Sequence, residues 1–241
     1  MIDKNLTQNN QAWGNSKYAT DFDYLMHDYV LQRLRPFFKG DHCAELGCYK
    51  GEMTKKLAKE FERVTAIDIE PKYCEHVREL GLGNVDVSQS DFAMYDDYNK
   101  FSDVISIHSL EHVEFDQELL NFLSKNKASD ALVHIVVPNG TSLSRRIAVN
   151  MGFMAEPLVV TDFEKAIGHH RTYDIETLIA VVEGAGLTIV HAGGIMPKVF
   201  SNSQYDRALQ EGIIGQEYLD AAFKLSEELP ELCSSIFVSC R

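Results

Sequence analysis

A short apolar run, Cys43 to Leu46, breaks into Gly47-Cys48-Tyr49-Lys50-Gly51 and opens onto a helical stretch, Glu52 to Phe61. A β-branched run, Val64 to Ile67, follows and ends in Asp68-Ile69-Glu70. No other feature constrains the fold as strongly. Strand, glycine turn, helix and a second strand with a terminal acid make a βαβ nucleotide-binding unit. Its glycines let backbone approach a ligand, and its distal carboxylate takes ribose hydroxyls. The intervening residues narrow the ligand. A dinucleotide fingerprint needs glycine where Tyr49 stands, so that backbone can touch a pyrophosphate. A P-loop needs Gly-Lys-Ser/Thr, an order that Lys50-Gly51-Glu52 breaks. A ribose-bearing ligand without a diphosphate fits better.

Downstream, strands and helices alternate, as in a doubly wound α/β sheet. Strands are expected at Val85–Val87, Val104–Ile107, Ala131–Val137, Leu187–Ala192 and around Ile236–Val238; helices are expected at Pro71–Leu80, Asp116–Ser124 and Ile175–Ala185. The helical pattern Phe22, Leu25, Met26, Tyr29, Val30, Leu34 comes earlier and is stopped by Pro36. Residues 1–19 read as a polar arm and 20–241 as one domain, with cap insertions at about 139–172 and 196–231. Both insertions leave carboxyl ends of parallel strands, the edge where such sheets bind ligands, so both are expected to roof the site. With 241 residues, 45% of them hydrophobic, the chain can bury one sizeable core.

A net charge of −13 and no basic cluster beyond Arg145-Arg146 argue against a nucleic-acid partner, which needs a basic face. Five cysteines without a Cys-x-x-Cys spacing read as buried, reduced thiols. No apolar stretch is long enough for a membrane span and no signal-peptide core is present, so a cytoplasmic protein is expected.

The segment Glu45-Leu46-Gly47-Cys48-Tyr49-Lys50-Gly51 with Asp68 resembles the signature loop of class I S-adenosylmethionine (SAM) dependent methyltransferases. The resemblance implies a Rossmann-like, mostly parallel seven-stranded sheet with an antiparallel last strand. It also implies SAM as methyl donor and S-adenosylhomocysteine (SAH) as product. Glu45, Gly47, Cys48, Tyr49, Gly51, Asp68 and Ile69 are its implied donor contacts, Asp91 and Phe92 meet the adenine, and His108 joins them. Pro138-Asn139, Ser144-Arg145-Arg146-Ile147-Ala148 and Gly168-His169-His170-Arg171-Thr172-Tyr173 resemble a bacterial subgroup of that class.

His108-Ser109-Leu110-Glu111-His112 matches the His-x-x-Glu-His zinc-protease pattern, but a β-branched strand runs into His108 where that motif needs a helix. Leu110-Glu111-His112-Val113 at a strand end is instead common in small-molecule methyltransferases. His112 and His169 are the candidate catalytic bases. His170, Arg171, Tyr173 and Lys198 are the candidate substrate contacts, and Trp13 and Tyr18 could form a lid. No residue is assigned to a metal. Mg²⁺ prefers oxygen ligands and paired imidazoles suit softer ions, so a divalent metal stays a minor alternative. The expected function is methyl transfer to an oxygen or nitrogen of a small molecule, such as a sugar or secondary-metabolite hydroxyl, with the oligomeric state open. A SAM-binding protein without chemistry, or an NAD-dependent oxidoreductase that Tyr49 argues against, are the alternatives.

Overall fold

Strand β1 (His42–Leu46) is buried on both faces after its first residue, and it sits near the middle of a seven-stranded sheet. The computed structural model describes residues 21–241, so Trp13, Tyr18 and the polar arm lie outside the described residues. Around β1 the order is β3-β2-β1-β4-β5-β7-β6, with β2 at Arg63–Asp68, β3 at Val85–Gln89, β4 at Asp103–Ile107, β5 at Leu132–Pro138, β6 at Ile189–Pro197 and β7 at Cys233–Cys240. Strands β1 to β5 pair in parallel, and β7 runs antiparallel between β5 and β6.

Alternate residues of each central strand face opposite layers, and both layers are apolar because helices cover both faces. On one face Ala44, Val104, Val133 and Val238 pack with Leu119, Leu120 and Leu123 of α4 (Asp116–Asn126) and Leu178 and Val182 of α7 (Ile175–Gly184). On the other, Cys43, Ile105, Val136 and Phe237 meet α1 (Asp21–Leu34), α2 (Glu52–Glu60), α8 (Asn202–Gln210) and α9 (Gln216–Lys224). Helix α3 (Pro71–Glu79) packs on β2 and the edge strand β3, burying Cys74 and Val77. The first insertion contains α5 (Leu143–Asn150) and the short α6 (Asp162–Ala166).

Two features differ from the expectation. Strand β6 continues five residues beyond Ala192, through Gly193-Gly194, which look like a strand stop in the sequence. A Cβ on Gly194 would lie 2.5 Å from Cys233 Sγ and 2.5 Å from the Pro230 carbonyl, so only glycine lets β6 run on beside β7. The second insertion forms little of a roof. Its helices bury Tyr205, Leu219 and Phe223 against Phe22 and Tyr29 of α1, which holds α1 on the sheet face. All five cysteines are free and buried. No helix among the described residues is long and apolar enough to cross a membrane.

Candidate active site

One cavity of about 1250 Å³ opens along the carboxyl ends of β1, β2, β4 and β5. Its floor is built by the β1–α2 turn. Gly47 has φ +86° and donates its N–H to the Ile67 carbonyl at 2.8 Å; a Cβ there would meet Ser109 Oγ at 2.4 Å. Tyr49 stands in the left-handed region at φ +43°, an unusual conformation for a bulky residue. Asp68 holds it there, accepting the Tyr49 N–H on Oδ2 at 3.1 Å and the Glu70 N–H on Oδ1 at 2.9 Å. One carboxylate thus ties the glycine turn to the end of β2. Gly51, at φ +77°, starts α2 without a side-chain cap, leaving the helix N-terminus turned to the cavity side. Glu45 is buried and accepts the Thr54 hydroxyl at 2.6 Å; burial pushes its carboxyl up to about 8.

Ile69, 57% exposed, and Phe92 both line the cavity. Asp91 accepts the Ala93 N–H at 2.8 Å, an Asx turn that starts a short 3₁₀ segment, Phe92–Met94. Cys48 lines the same wall.

The opposite half carries imidazoles. Strand β4 ends in His108, a second bulky residue in the left-handed region at φ +52°. Its Nε2 shares a 3.0 Å hydrogen bond with Ser235 Oγ of β7. The residue is exposed and lines the cavity, yet desolvation by the protein around the ring, followed by the nearby His27, His169, His112 and Lys198, lowers its pKa to about 3. A 3₁₀ turn, Leu110–His112, follows. The zinc-protease pattern is therefore spread over a strand end and a tight turn, with no helix to put both histidines on one face.

In that turn Glu111 is 1% exposed, and neither carboxyl oxygen has a hydrogen-bond partner; burial pushes the group up to about 8. The His112 ring donates to the Gly168 carbonyl. His169 packs edge-on against it, centroids 4.6 Å apart and planes at 88°, and burial beside His112 lowers its pKa to about 4. The His170 N–H donates to the Glu111 carbonyl at 2.9 Å, so the end of the first insertion lies on the turn.

His170 lines the cavity, while Arg171 and Tyr173 do not. The Tyr173 hydroxyl donates to Asp116 Oδ2 at 2.6 Å, Arg171 pairs with Asp116 Oδ1, and Arg171 also donates to the Glu114 carbonyl. Both side chains reach back under the insertion and latch it to the first turn of α4. Arg145 plays a similar part, donating to the carbonyls of Pro157 and Val159 and to Glu164 Oε1. Lys198 does line the cavity; its ammonium donates to Asn202 Oδ1, and burial lowers it to about 8.

Sequence reasoning missed His27. It projects from α1 into the cavity beside Asp23, Tyr24, Met26 and Val30, and burial lowers its pKa to about 4. The only signal was a histidine on the apolar stripe of α1. Asp116 was legible only as a helix start.

A carboxylate-fixed glycine turn, a cavity past the strand ends and the 3-2-1-4-5-7-6 order together describe a small, well-defined class. A family model described as a methyltransferase domain matches residues 18–192. The chain belongs to the SAM-dependent methyltransferases. Among solved structures, this methyltransferase resembles a SAM-dependent methyltransferase from Mesorhizobium loti, at 16% identity and TM-score 0.64, covering 91% of this chain and 99% of that one. It also resembles one from Archaeoglobus fulgidus at 20% identity and TM-score 0.56, covering 89% and 93% of the two chains. A third is the N-methyltransferase NodS from Bradyrhizobium japonicum WM9 in complex with SAH, at 15% identity and TM-score 0.55, covering 92% and 88%. At these identities the likeness is one of fold. No curated protein matches the methyltransferase sequence.

Proposed function

We propose that this methyltransferase alkylates an oxygen or nitrogen of a small polar acceptor, held in the imidazole-lined half of the cavity. The observation that carries the reading is continuity. A single cavity runs from the Glu45–Gly51 turn, Asp68, Ile69, Asp91 and Phe92 to His27, His108, His112, His170 and Lys198. Residues of the first half would hold SAM: Asp68 at the ribose, Ile69 and Phe92 on the faces of the adenine, Asp91 at its edge, and Glu45 toward the ammonium end. The Gly47 bend suits this role, because backbone there approaches a ligand with no side chain between.

SAM supplies a methyl group already activated on a sulfonium. The protein's work is alignment, where well-oriented reactants gain roughly 7–11 kcal/mol, and removal of the acceptor's proton. A positioned base adds about 10²–10⁴-fold. His112 is the first candidate, since its ring is oriented by the Gly168 carbonyl and depressed by burial, which keeps a lone pair ready at neutral pH. His169, edge-on to it, is the second. Lys198 and His170 would contact the acceptor. A polar acceptor, a sugar hydroxyl among the candidates, matches this lining.

The test is calorimetry with SAH and NAD, followed by screening metabolites for SAM-dependent SAH release. SAH binding that Asp68→Asn weakens and His112→Ala leaves alone, with turnover lost in His112→Ala, is the expected result. Binding of NAD in place of SAH would overturn the reading.

A further inference from the structure

We propose that Glu111, His112 and His169 form a binding site for one divalent transition-metal ion of the Zn²⁺ class. The argument begins with Glu111. Its carboxyl is 1% exposed and both oxygens are unpartnered. An ionised carboxylate in that position costs several kcal/mol without a counter-charge. A neutral one still leaves a buried hydroxyl and carbonyl unpaired, which native interiors rarely tolerate without a ligand or ion to explain it. The side chains nearest to it supply what a cation needs. One donor atom each from Glu111, His112 and His169 lies within 4.8 Å of the others.

The surroundings have the form of a metal site's outer shell. Ligating histidines commonly donate their second ring N–H to a carbonyl, which fixes tautomer and orientation. The His112 ring donates to the Gly168 carbonyl, and the Nδ1 side of the ring faces Gly168. His169 is set beside it by a backbone turn: Gly168 takes φ +93°, and the His169 N–H donates to the Glu164 carbonyl at 2.9 Å. Two ligands come from the rigid turn after β4 and the third from the end of the insertion, so an ion would join the cap to the sheet. Zinc bound at about 2.0–2.2 Å places its ligand atoms a little over 3 Å apart. Closure from separations within 4.8 Å therefore asks the ligand atoms to approach by about 1–2 Å. Two imidazoles and one carboxylate suit Zn²⁺ or Mn²⁺ and disfavour Mg²⁺ and Ca²⁺, which want oxygen shells. His112 lies on the cavity wall, leaving a coordination position open on that side, the pattern of catalytic zinc sites.

The consequence for chemistry rests on the methyltransferase reading. With both imidazoles held as ligands, the ion would lower the acceptor's pKa, and the acceptor's proton would pass to water through the open cavity. Metal binding itself does not rest on that reading, and the experiment separates the two. Tag-free protein is stripped with chelator, then titrated by calorimetry with Zn²⁺, Mn²⁺ and Mg²⁺. Thermal melts with and without SAH run beside the titrations. One equivalent of Zn²⁺ or Mn²⁺ should bind, with a raised melting temperature and no response to Mg²⁺. Glu111→Gln and His169→Ala should each weaken that binding tenfold or more while keeping the SAH-induced shift, which shows them folded. Should Glu111→Gln fail to fold, His169→Ala, a half-buried loop residue, decides alone. No saturable uptake of Zn²⁺ or Mn²⁺, or undiminished uptake by His169→Ala, overturns the site and leaves the imidazoles as bases. A wild-type protein that ignores SAH would instead sink the methyltransferase reading and leave the metal result standing.

Discussion

Replacing Gly47 by alanine tests the β1–α2 turn, the proposed SAM cradle, at its tightest point. The residue sits at φ +86°, where an L side chain costs roughly 1–2 kcal/mol. The new Cβ would lie 2.4 Å from Ser109 Oγ and 3.2 Å from Ser109 Cβ. Ser109 must therefore rotate, losing the 2.7 Å hydrogen bond that its hydroxyl donates to the Leu46 carbonyl. Leaving that buried pair unmade costs about 1–3 kcal/mol, so Gly47→Ala should destabilise the protein by about 2–5 kcal/mol in total. Urea unfolding measures this, and calorimetry with SAH reads separately whether the displaced turn also weakens binding. A double-mutant cycle isolates the cause. Ser109→Ala alone also gives up the bond to Leu46. In the Ser109→Ala background Gly47→Ala has no hydroxyl to displace, and only the backbone strain and the looser Cβ contact remain. The two changes should couple by about 1 kcal/mol or more, within the range seen for residues in contact. Strict additivity, or a Gly47→Ala protein as stable as wild type, would refute the steric account.

Three further outcomes are expected. Asp68→Asn keeps only one acceptor for the Tyr49 and Glu70 N–H groups, so about 1–3 kcal/mol of stability should be lost, visible as a lower urea midpoint. Asp116→Asn or Tyr173→Phe should release the latch on the first insertion, read as faster proteolysis within residues 141–172 with SAH affinity retained. The third concerns pH in the ligand-free protein. Glu45, raised from 4.5 to about 8, holds a proton in the folded state that the unfolded chain has lost, so its contribution to stability is lost as pH rises from 4.5 through 8. His27, lowered from 6.5 to about 4, has the opposite sign: the unfolded chain takes up a proton first, so stability falls as pH drops from 6.5 toward 4. Urea midpoints should therefore decline between pH 6.5 and 8; Glu111, also raised to about 8, acts with the same sign, so Glu45→Gln should remove roughly half of that decline, and an unchanged slope would mean Glu45 is ionised in the folded state.

A buried set in the sheet shows why residue types alone do not make a site. Ser239 Oγ, His134 and Asp103 form a hydrogen-bonded row, 2.8 Å and 3.0 Å between neighbours, in the order of a hydrolase triad. All three are fully buried, and Asp103 also accepts the N–H groups of Lys39 and Gly40. None of the three lines the cavity past the strand ends; they tie β4, β5 and β7 to one another and to the Lys39–Gly40 backbone. The same lesson applies to Arg171 and Tyr173, polar residues in a motif at the ligand edge whose side chains turn the other way to Asp116.

The glycine-turn half of the cavity was readable in the sequence because it is local. Glu45, Gly47, Gly51 and Asp68 belong to one βαβ unit, where backbone conformation and short spacing set the geometry whatever the rest of the chain does. The alternation of apolar runs likewise determined the sheet and its two covering layers. The imidazole-lined half depends on contacts between distant segments: His27 from α1, Glu111 and His112 from the turn after β4, His169 from the end of an insertion and Ser235 from β7. Side-chain meetings of that kind follow from how helices pack and where loops are latched, which no local pattern encodes. Only the tertiary structure could show a buried carboxyl without a partner lying beside two imidazoles.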